Sequence, residues 1–181
     1  TFFTQNGPEF DIEVYSIPEY NLLTVVEDAV SPLRRVTLDD GNYLFYTLNN
    51  LNQVLLFDDE LSQVGSFPVG VGQDEIPFFG LAAQTFFDDD FKVEFIVSVF
   101  NIFTGEFSSM VIEQSGVMEF STDNFIAPFG DLEEGFSFYT PTSSGIPNVY
   151  SDYKVYTAKN YVFEQEYSAD GVISFQGQML E

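Results

Sequence analysis

Hydrophobic and polar residues alternate along most of this chain, and that alternation constrains its fold more than any other feature of the sequence. Successive side chains of a β-strand point to opposite faces, so alternation is typical of strands with one buried face. The alternating segments are rich in Val, Ile, Phe and Tyr, and the turn-forming residues Gly, Pro, Asn and Asp interrupt them. No segment has a convincing amphipathic helical pattern, and residues 21–30 are the best of a poor set. We therefore expect an all-β protein.

Short strands separated by turns predict an antiparallel meander, which is either a β-propeller-like array or a β-sandwich. The candidate strands are residues 11–16, 22–27, 43–48, 53–57, 63–67, 81–87, 92–100, 108–113, 117–120, 135–139, 149–156, 161–166 and 171–175. We expect residues 1–181 to form a single β domain, because a chain of this length closes one core. Residues 1–20 are a candidate N-terminal arm or a strand exchanged with another molecule.

A pattern of three predicted strands separated by two turns recurs within the chain. The block YLFYTLNNLNQVLLFDDELSQVGSFPV at 43–69 aligns with YKVYTAKNYVFEQEYSADGVISFQG at 153–177, and residues 92–120 have the same rhythm. Each block runs through a strand, a turn, a second strand, a second turn and a third strand. Propeller blades are built from such meanders, and sandwiches also contain them.

The block at 53–69, QVLLFDDELSQVGSFPV, resembles a blade element of NHL-like propellers. A longer series is similar to secreted proteins of Bacteroidota, many of which are exported by the type IX route. It consists, in order, of LFDDELSQVGSF, AAQTFFDDDFKVEFIVSVF, MVIEQSGVMEF and YKVYTAKNYVF. This resemblance implies a propeller-like, exported or cell-surface β-protein, and it implies no catalytic residues.

The charge balance restricts the partners. The chain has 29 acidic and 5 basic residues and a net charge of −24. Nucleic acids and anionic lipid surfaces both require a basic face, so we expect neither as a partner. No apolar run approaches the roughly 20 residues of a membrane helix, and we expect no membrane insertion. Protein partners with neutral or basic surfaces, self-association and polysaccharide remain.

The composition also argues against an enzyme. The chain contains no Cys and no His, which excludes thiol nucleophiles and the usual triads and zinc sites. Paired carboxylates could hydrolyse glycosides, but no Trp is present to stack on a sugar ring. Ser151 and Lys154 are close in sequence, and a strand-edge lysine is the simpler interpretation of that pair. The segment GVGQDE at 70–75 is a turn, because no helix follows it to form a phosphate-binding loop.

Two acidic triplets are candidate calcium sites. They are Asp58, Asp59 and Glu60, and Asp88, Asp89 and Asp90. Carboxylates on turns supply the hard oxygen ligands that calcium prefers, although the ligand spacing of an EF-hand loop is missing. Asp also caps ordinary solvated turns through its own side chain, and this interpretation is favoured. We expect no other cofactor.

Adjacent phenylalanines are the strongest indication of an interface. The candidates are Phe2, Phe3, Phe78, Phe79, Phe86 and Phe87. Because neighbours in a strand face opposite ways, one ring of each pair enters the core and the other needs cover. If the outward-facing rings are exposed, they mark a contact surface for another molecule. The alternative is that a loop of the same chain covers them.

Arg34 and Arg35 form the one pair of adjacent cations in the chain. They are either an anchor for the acidic surface of a neighbouring copy or intramolecular partners of Asp39 or Asp40, and the second interpretation is favoured because surface ion pairs are common.

These observations predict a non-enzymatic extracellular binding or adhesion module on the cell surface. The chain begins at Thr1 without a basic and apolar leader, which we interpret as a processed or trimmed start, and we expect the protein to be secreted or on the cell surface. The alternative is a structural subunit of an extracellular filament or surface layer that assembles by strand addition.

Overall fold

The computed structural model describes residues 2–6, 11–84, 87, 90–131, 135–143 and 150–168. They form fifteen strands and one short 3-10 turn at Lys159–Tyr161. The strands are β1 (Phe2–Asn6), β2 (Asp11–Tyr15), β3 (Leu22–Val26), β4 (Arg34–Thr37), β5 (Tyr43–Leu48), β6 (Gln53–Phe57), β7 (Gln63–Pro68), β8 (Glu75–Gln84), β9 (Val93–Asn101), β10 (Phe107–Glu113), β11 (Met118–Thr122), β12 (Ala127–Asp131), β13 (Gly135–Ser143), β14 (Tyr150–Thr157) and β15 (Val162–Ser168). In these residues no helix has the length and apolarity needed to cross a bilayer.

The strands form four antiparallel sheets that follow one another along the chain. The first sheet contains β1–β3, the second β4–β7, the third β8–β11 and the fourth β12–β15. Within every sheet, neighbours in sequence are neighbours in space, so each sheet is a meander. The all-β antiparallel fold predicted from the alternation is therefore confirmed.

Apolar side chains pack between consecutive sheets. The first and second sheets enclose Ile12, Val14, Val26, Ala29, Leu33, Leu55 and Phe57. The second and third enclose Val36, Leu44, Tyr46, Leu48, Val54, Leu56, Phe67, Val69, Phe79, Val93, Phe95, Val97 and Ile112. The third and fourth enclose Phe87, Ile96, Val111, Ile126, Phe138 and Ala158. Four sheets in series, with a cluster at each described junction, correspond to blades of a propeller-like array rather than to the two layers of a sandwich.

Strand β9 of the third sheet contributes side chains to two of these apolar clusters, one on each of its faces. Val93, Phe95 and Val97 enter the cluster with the second sheet, and Ile96 enters the cluster with the fourth. Every residue from 93 to 99 is buried, because both faces of the strand are covered.

The first strands of neighbouring sheets approach each other. Nη1 of Arg34, on β4, donates a hydrogen bond to the carbonyl oxygen of Gly80, on β8, over 3.3 Å. The connections that lead into these strands also match. Asp28 O accepts from Asn50 N before β4, and Asp74 O accepts from Ile102 N before β8. Successive sheets thus repeat one arrangement.

Several elements differ from the sequence predictions. β1, β4 and β12 were missed, since β1 lies in the candidate arm, β4 carries two arginines, and β12 contains a proline and a glycine. β8 begins at Glu75 rather than at residue 81. The strand predicted at 22–27 is confirmed as β3, which takes the place of the weak helical candidate at 21–30. β1 pairs within the chain with β2, and its exchange with another molecule stays a prediction. The candidate strand 171–175 lies outside the described residues.

The two blocks that were aligned as an internal repeat do not begin at the same strand of their sheets. The alignment matched residues 43–69 with 153–177, which sets β5 against β14. However, β5 is the second strand of its sheet and β14 is the third of its own. All antiparallel hairpins with short acidic turns look alike in sequence, so the pattern identifies the meander but does not number its strands.

Candidate interaction surface

Four apolar side chains lie side by side on one face of the third sheet. Ile76 of β8 is opposite Phe100 of β9, which in turn is opposite Phe107 of β10. Phe78 lies two residues from Ile76 and therefore shares its face. The ring centroids of Phe100 and Phe107 are 4.9 Å apart, and those of Phe78 and Phe107 are 6.1 Å apart. We call these four residues the aromatic face.

The aromatic face is open to solvent. Ile76, Phe78 and Phe107 are exposed and Phe100 is half-buried. Exposed Ile102 and Phe103 follow on the β9–β10 turn. A contiguous apolar patch of this kind marks an interaction site more often than isolated surface hydrophobics do.

Asn101 shapes the turn beside the aromatic face. Its Oδ1 accepts hydrogen bonds from the backbone N–H groups of Phe103 and Thr104, each over 3.0 Å. Gly105 closes the turn with a φ of +73°, a conformation that favours glycine. The turn therefore holds the two apolar residues at 102 and 103 in a defined position at the end of the hairpin.

Charged residues at the margin of the aromatic face are acidic. Asp74 and Glu75 immediately precede Ile76, and Glu106 immediately precedes Phe107. Oε2 of Glu75 accepts the N–H of Gly72 over 2.7 Å, which fixes that carboxylate next to β8. An apolar centre with an acidic margin has the anatomy of a protein-binding patch.

The predicted interface phenylalanines divide between the surface and the core. Phe78 is 41% exposed, whereas Phe79 is 5% exposed and its ring lies 4.8 Å from that of Tyr46. Phe87 is also buried, stacked on Tyr161 at 5.2 Å. Phe79 and Phe87 thus belong to the core. Two further candidates, Phe2 and Phe3, pair with Tyr15 and Val14 in the β1–β2 ladder, and the structure describes only their backbone. Phe86 lies outside the described residues.

Sequence analysis identified Phe78 but missed Phe100 and Phe107. These two residues stand on either side of the turn at 101–106, each at the end of an alternating segment. Two aromatic residues placed symmetrically about a short turn predict a cross-strand pair, and this signal could have revealed the aromatic face.

The acidic triplet at 58–60 lies in the turn between β6 and β7. Oδ1 of Asp58 accepts the backbone N–H groups of Glu60 and Ser62, over 3.1 and 2.8 Å. This carboxylate therefore caps the turn. Across the described residues, no group of three or more acidic side chains is arranged to hold a metal ion. Asp88 and Asp89 lie outside the described residues, and calcium binding stays a prediction.

Asp90 takes part in an ion-pair cluster at the opposite end of the third sheet. Nζ of Lys92 lies 2.8 Å from Oδ2 of Asp90 and 2.5 Å from Oε2 of Glu113. Burial alone would raise the pKa of Glu113, but hydrogen bonds from Lys92 and Ser115 outweigh it and hold that pKa below its ordinary value. Hydrogen bonds to Asp90 and Glu113 raise the pKa of Lys92.

The paired arginines contact groups other than the predicted carboxylates. Arg34 donates to the carbonyl of Gly80, and the guanidinium of Arg35 lies 4.5 Å from the centre of the Tyr43 ring. The carboxylate of Asp40 instead accepts from Asn42, through its backbone N–H at 2.9 Å and its side-chain amide at 3.0 Å. The two arginines thus make a carbonyl contact and a cation–π contact, and their pairing with Asp39 or Asp40 stays a prediction.

Comparison with known proteins identifies the architecture. No family model matches this chain, and no curated protein matches it in sequence. The structure is similar to that of the Dos1 propeller, with a TM-score of 0.54 and 13% identity over 88% of this chain and 42% of that chain. A protein of unknown function from Bacteroides caccae aligns with a TM-score of 0.39 and 9% identity, over 94% of this chain and 58% of that one. The dihydro-heme d1 dehydrogenase NirN aligns with a TM-score of 0.35 and 14% identity, over 90% and 43%.

The chain thus spans about two fifths of the Dos1 propeller chain with which it shares its architecture. At this level of identity the likeness shows the fold alone. Together with the four serial sheets, it establishes that this chain is a propeller-like array of antiparallel β-sheets.

Proposed function

We propose that this protein is a non-enzymatic extracellular binding or adhesion module whose aromatic face takes a protein partner. The observation that carries the proposal is the exposed cross-strand row of Ile76, Phe100 and Phe107, with Phe78 beside it. Aromatic residues are enriched where interfaces are most completely desolvated, and they supply much of the binding free energy there.

The charge of the chain specifies the chemistry of that partner. Asp74, Glu75 and Glu106 flank the aromatic face, within a chain of net charge −24. A partner with apolar anchors and a rim of Lys or Arg complements this surface, and electrostatic attraction accelerates its association. Exposed rings also stack on sugars, which keeps polysaccharide as the other ligand class.

A secreted or cell-surface location accompanies this proposal. It is supported by a sequence resemblance: the motifs between Gly41 and Gly177 occur in the same order as in exported proteins of Bacteroidota, many of which use the type IX route. Antibody labelling of intact and of permeabilised cells tests it. Labelling of intact cells is expected, and labelling that requires permeabilisation would contradict a surface location.

A structural subunit assembled by strand addition is the second candidate. The first sheet has three described strands where each of the others has four, so an incoming strand could complete it. Sedimentation velocity separates the two candidates, because a filament subunit forms large species whose size grows with concentration.

The aromatic face is tested with a synthetic peptide that carries tyrosine and leucine anchors between lysines. The same peptide with glutamates in place of the lysines is the charge control. Fluorescence anisotropy is expected to show binding of the lysine peptide only, weakened by added salt because exposed charges are screened. A lysine peptide that binds no better than the glutamate peptide would contradict the proposed partner chemistry.

The variant Phe107→Ser removes the ring that lies beside those of both Phe78 and Phe100, and Phe91→Ser is the matched control. Phe91 is exposed as well, but it lies beside the ion-pair cluster at the opposite end of the third sheet. Loss of a buried interface anchor weakens binding about tenfold or more. We expect that loss for Phe107→Ser and unchanged affinity for Phe91→Ser, with circular dichroism confirming that both fold. Equal affinities of the two variants would overturn the role of the aromatic face.

A further inference from the structure

Two residues of the aromatic face correspond to two apolar residues of the second sheet. Leu48 of β5 lies opposite Val54 of β6, and Phe100 of β9 lies opposite Phe107 of β10. Each pair joins the second strand of its sheet to the third, in the last row of the register before the turn between them. Leu48 and Phe100 thus hold equivalent positions, as do Val54 and Phe107.

The turns beside these two pairs are also built alike. Asn49 N donates to Gln53 O over 3.0 Å, and Asn101 N donates to Glu106 O over 2.9 Å. In each turn the side-chain Oδ1 of the asparagine accepts two backbone N–H groups. The correspondence between the second and third sheets therefore extends from the strands into the turn.

Both pairs point towards the sheet that follows their own. The pair in the second sheet belongs to the cluster between the second and third sheets. Phe100 lies four residues from Ile96 on β9, and Phe107 lies four residues from Val111 on β10. Residues an even number of positions apart share a face of a strand, and Ile96 and Val111 belong to the cluster with the fourth sheet. Phe100 and Phe107 therefore face the side on which the fourth sheet packs.

The two pairs differ in burial although they hold equivalent positions. Leu48 and Val54 are 1% and 0% exposed, whereas Phe107 is 43% exposed and Phe100 is half-buried. In the described part of the chain, the fourth sheet thus leaves open a row that is closed between the second and third sheets.

The connections that lead to the next sheet differ in the same way. Val69, in the connection from β7 to β8, is buried in the cluster between the second and third sheets, and Val71 packs against that cluster. Val69 N donates to Asn52 O over 3.0 Å, which holds this connection beside the β5–β6 turn. The connection from β11 to β12 has four residues instead of six, and it supplies Ile126 to its cluster. The longer connection therefore covers the second sheet where the shorter one leaves the third sheet open.

We propose that the aromatic face takes a short segment of the partner protein, in the place that Val69, Gly70 and Val71 occupy over the second sheet. The segment carries two aliphatic side chains separated by a glycine, because Gly70 has a φ of +77°, a conformation that favours glycine. Lys or Arg on either side of the segment complements the acidic margin of the aromatic face. This inference rests on the proposed function, since it specifies the form of the partner that the aromatic face binds.

Two peptides of identical composition test the form of the segment. One carries Val-Gly-Val between pairs of lysines, and its control carries Gly-Val-Val in the same place. Fluorescence anisotropy is expected to show about tenfold or more tighter binding of the first, because adjacent valines do not both reach the sheet. Equal affinities that both fall in Phe107→Ser would overturn this inference and leave the proposed function standing. If no lysine peptide binds, including the one with tyrosine and leucine anchors, both are overturned.

Substitutions at the turn and beside it test the position of the segment. Leu51 and Phe103 are equivalent, because the N–H of each donates to Oδ1 of the asparagine two residues before it. Leu51 is 71% exposed although the connection covers its sheet, so the segment should not reach Phe103. Phe107→Ser is expected to weaken binding of the Val-Gly-Val peptide about tenfold or more, and Phe103→Ser to leave it unchanged, with circular dichroism confirming that both fold. Equal affinities of the two variants would overturn the proposed position.

Discussion

Lys92 and Glu113 form an ion pair of 2.5 Å that joins the residue before β9 to the last residue of β10. Glu113 lies directly opposite Glu94 in the β9–β10 register, and both glutamates are buried. Two carboxylates side by side repel each other, and removal from water penalises their charged forms. Lys92 therefore supplies positive charge where the interior of the third sheet is most acidic.

Replacing Lys92 with Met is expected to lower the stability of the protein at neutral pH. The substitution leaves Glu113 buried beside Glu94 without its cation, and an uncompensated buried charge is strongly unfavourable. Urea denaturation measures the effect as a lower midpoint. Asp59→Asn, which removes an exposed charge from the turn between β6 and β7, is the control and should leave the midpoint nearly unchanged.

The same pair predicts a pH dependence. Because the folded-state pKa of Glu113 is lowered, its contribution is present above the unfolded carboxyl pKa and is lost as pH falls through the folded value. The pKa of Lys92 is raised, so its contribution persists at neutral pH and is lost only as alkaline pH rises through the folded value. The difference in midpoint between the unsubstituted protein and Lys92→Met should shrink in acid, and a constant difference would contradict the assignment.

Replacing Phe95 with Ala is expected to destabilise the protein by about 3–5 kcal/mol, because it opens a cavity between the second and third sheets. The Phe95 ring is fully buried and lies 5.1 Å from Tyr46 and 5.6 Å from Phe67, measured between centroids. Phe103→Ala is the control, since Phe103 is 77% exposed and its truncation should cost less than about 0.5 kcal/mol. Similar losses for both would show that Phe95 does not occupy the core.

Alanine substitutions at Gly116 and Gly41 distinguish destabilisation by steric clash from destabilisation by backbone strain. Both have a positive φ, of +88° and +86°. A Cβ at Gly116 would lie 2.9 Å from Cβ of Phe67, whereas one at Gly41 would meet nothing within 4 Å. Gly41→Ala should cost about 1 kcal/mol of unfolding free energy from backbone strain alone, and Gly116→Ala distinctly more. Thermal denaturation of the two variants compares them, and equal losses would argue against contact between the β10–β11 turn and Phe67.

Asp58 is expected to act as a turn cap, with Asp59 as its matched control. Asp58→Ala removes the acceptor of two backbone N–H groups and should cost about 1 kcal/mol, while Asp59→Ala should be nearly neutral. Denaturation in a chelator isolates this effect. Repeating the measurement with calcium tests the metal prediction, because an ion bound to the folded state raises the unfolding midpoint. If Asp58→Ala lowers the free energy of unfolding only when calcium is present, Asp58 is a metal ligand rather than a turn cap.

The sequence patterns predicted the strands that follow simple alternation and missed those that carry other signals. Phe78 and Phe79 divide between surface and core as their adjacency requires. β12 was missed because Pro128 and Gly130 are typical of turns, although a proline is tolerated in the first strand of a sheet. Local propensity is a weak guide wherever the partner strand decides the structure.

The principal contacts of the candidate sites depend on distant residues and could not be predicted from the sequence alone. Lys92 and Glu113 are 21 residues apart, and the β9–β10 register brings them together. The aromatic face likewise depends on which residues of β8, β9 and β10 lie opposite one another. A one-residue change of register would have moved Phe100 to the other side of the sheet, so alternation defines the faces of each strand but not its neighbours.

The serial packing of the sheets has a consequence for how such a chain can change in length. Because the described clusters each link one sheet to the next along the polypeptide, the cost of gaining or losing a unit falls mainly on a single junction. Duplication or deletion of about one meander would preserve the other junctions, and a gene encoding this protein could be extended or shortened in whole blades without redesign of the rest.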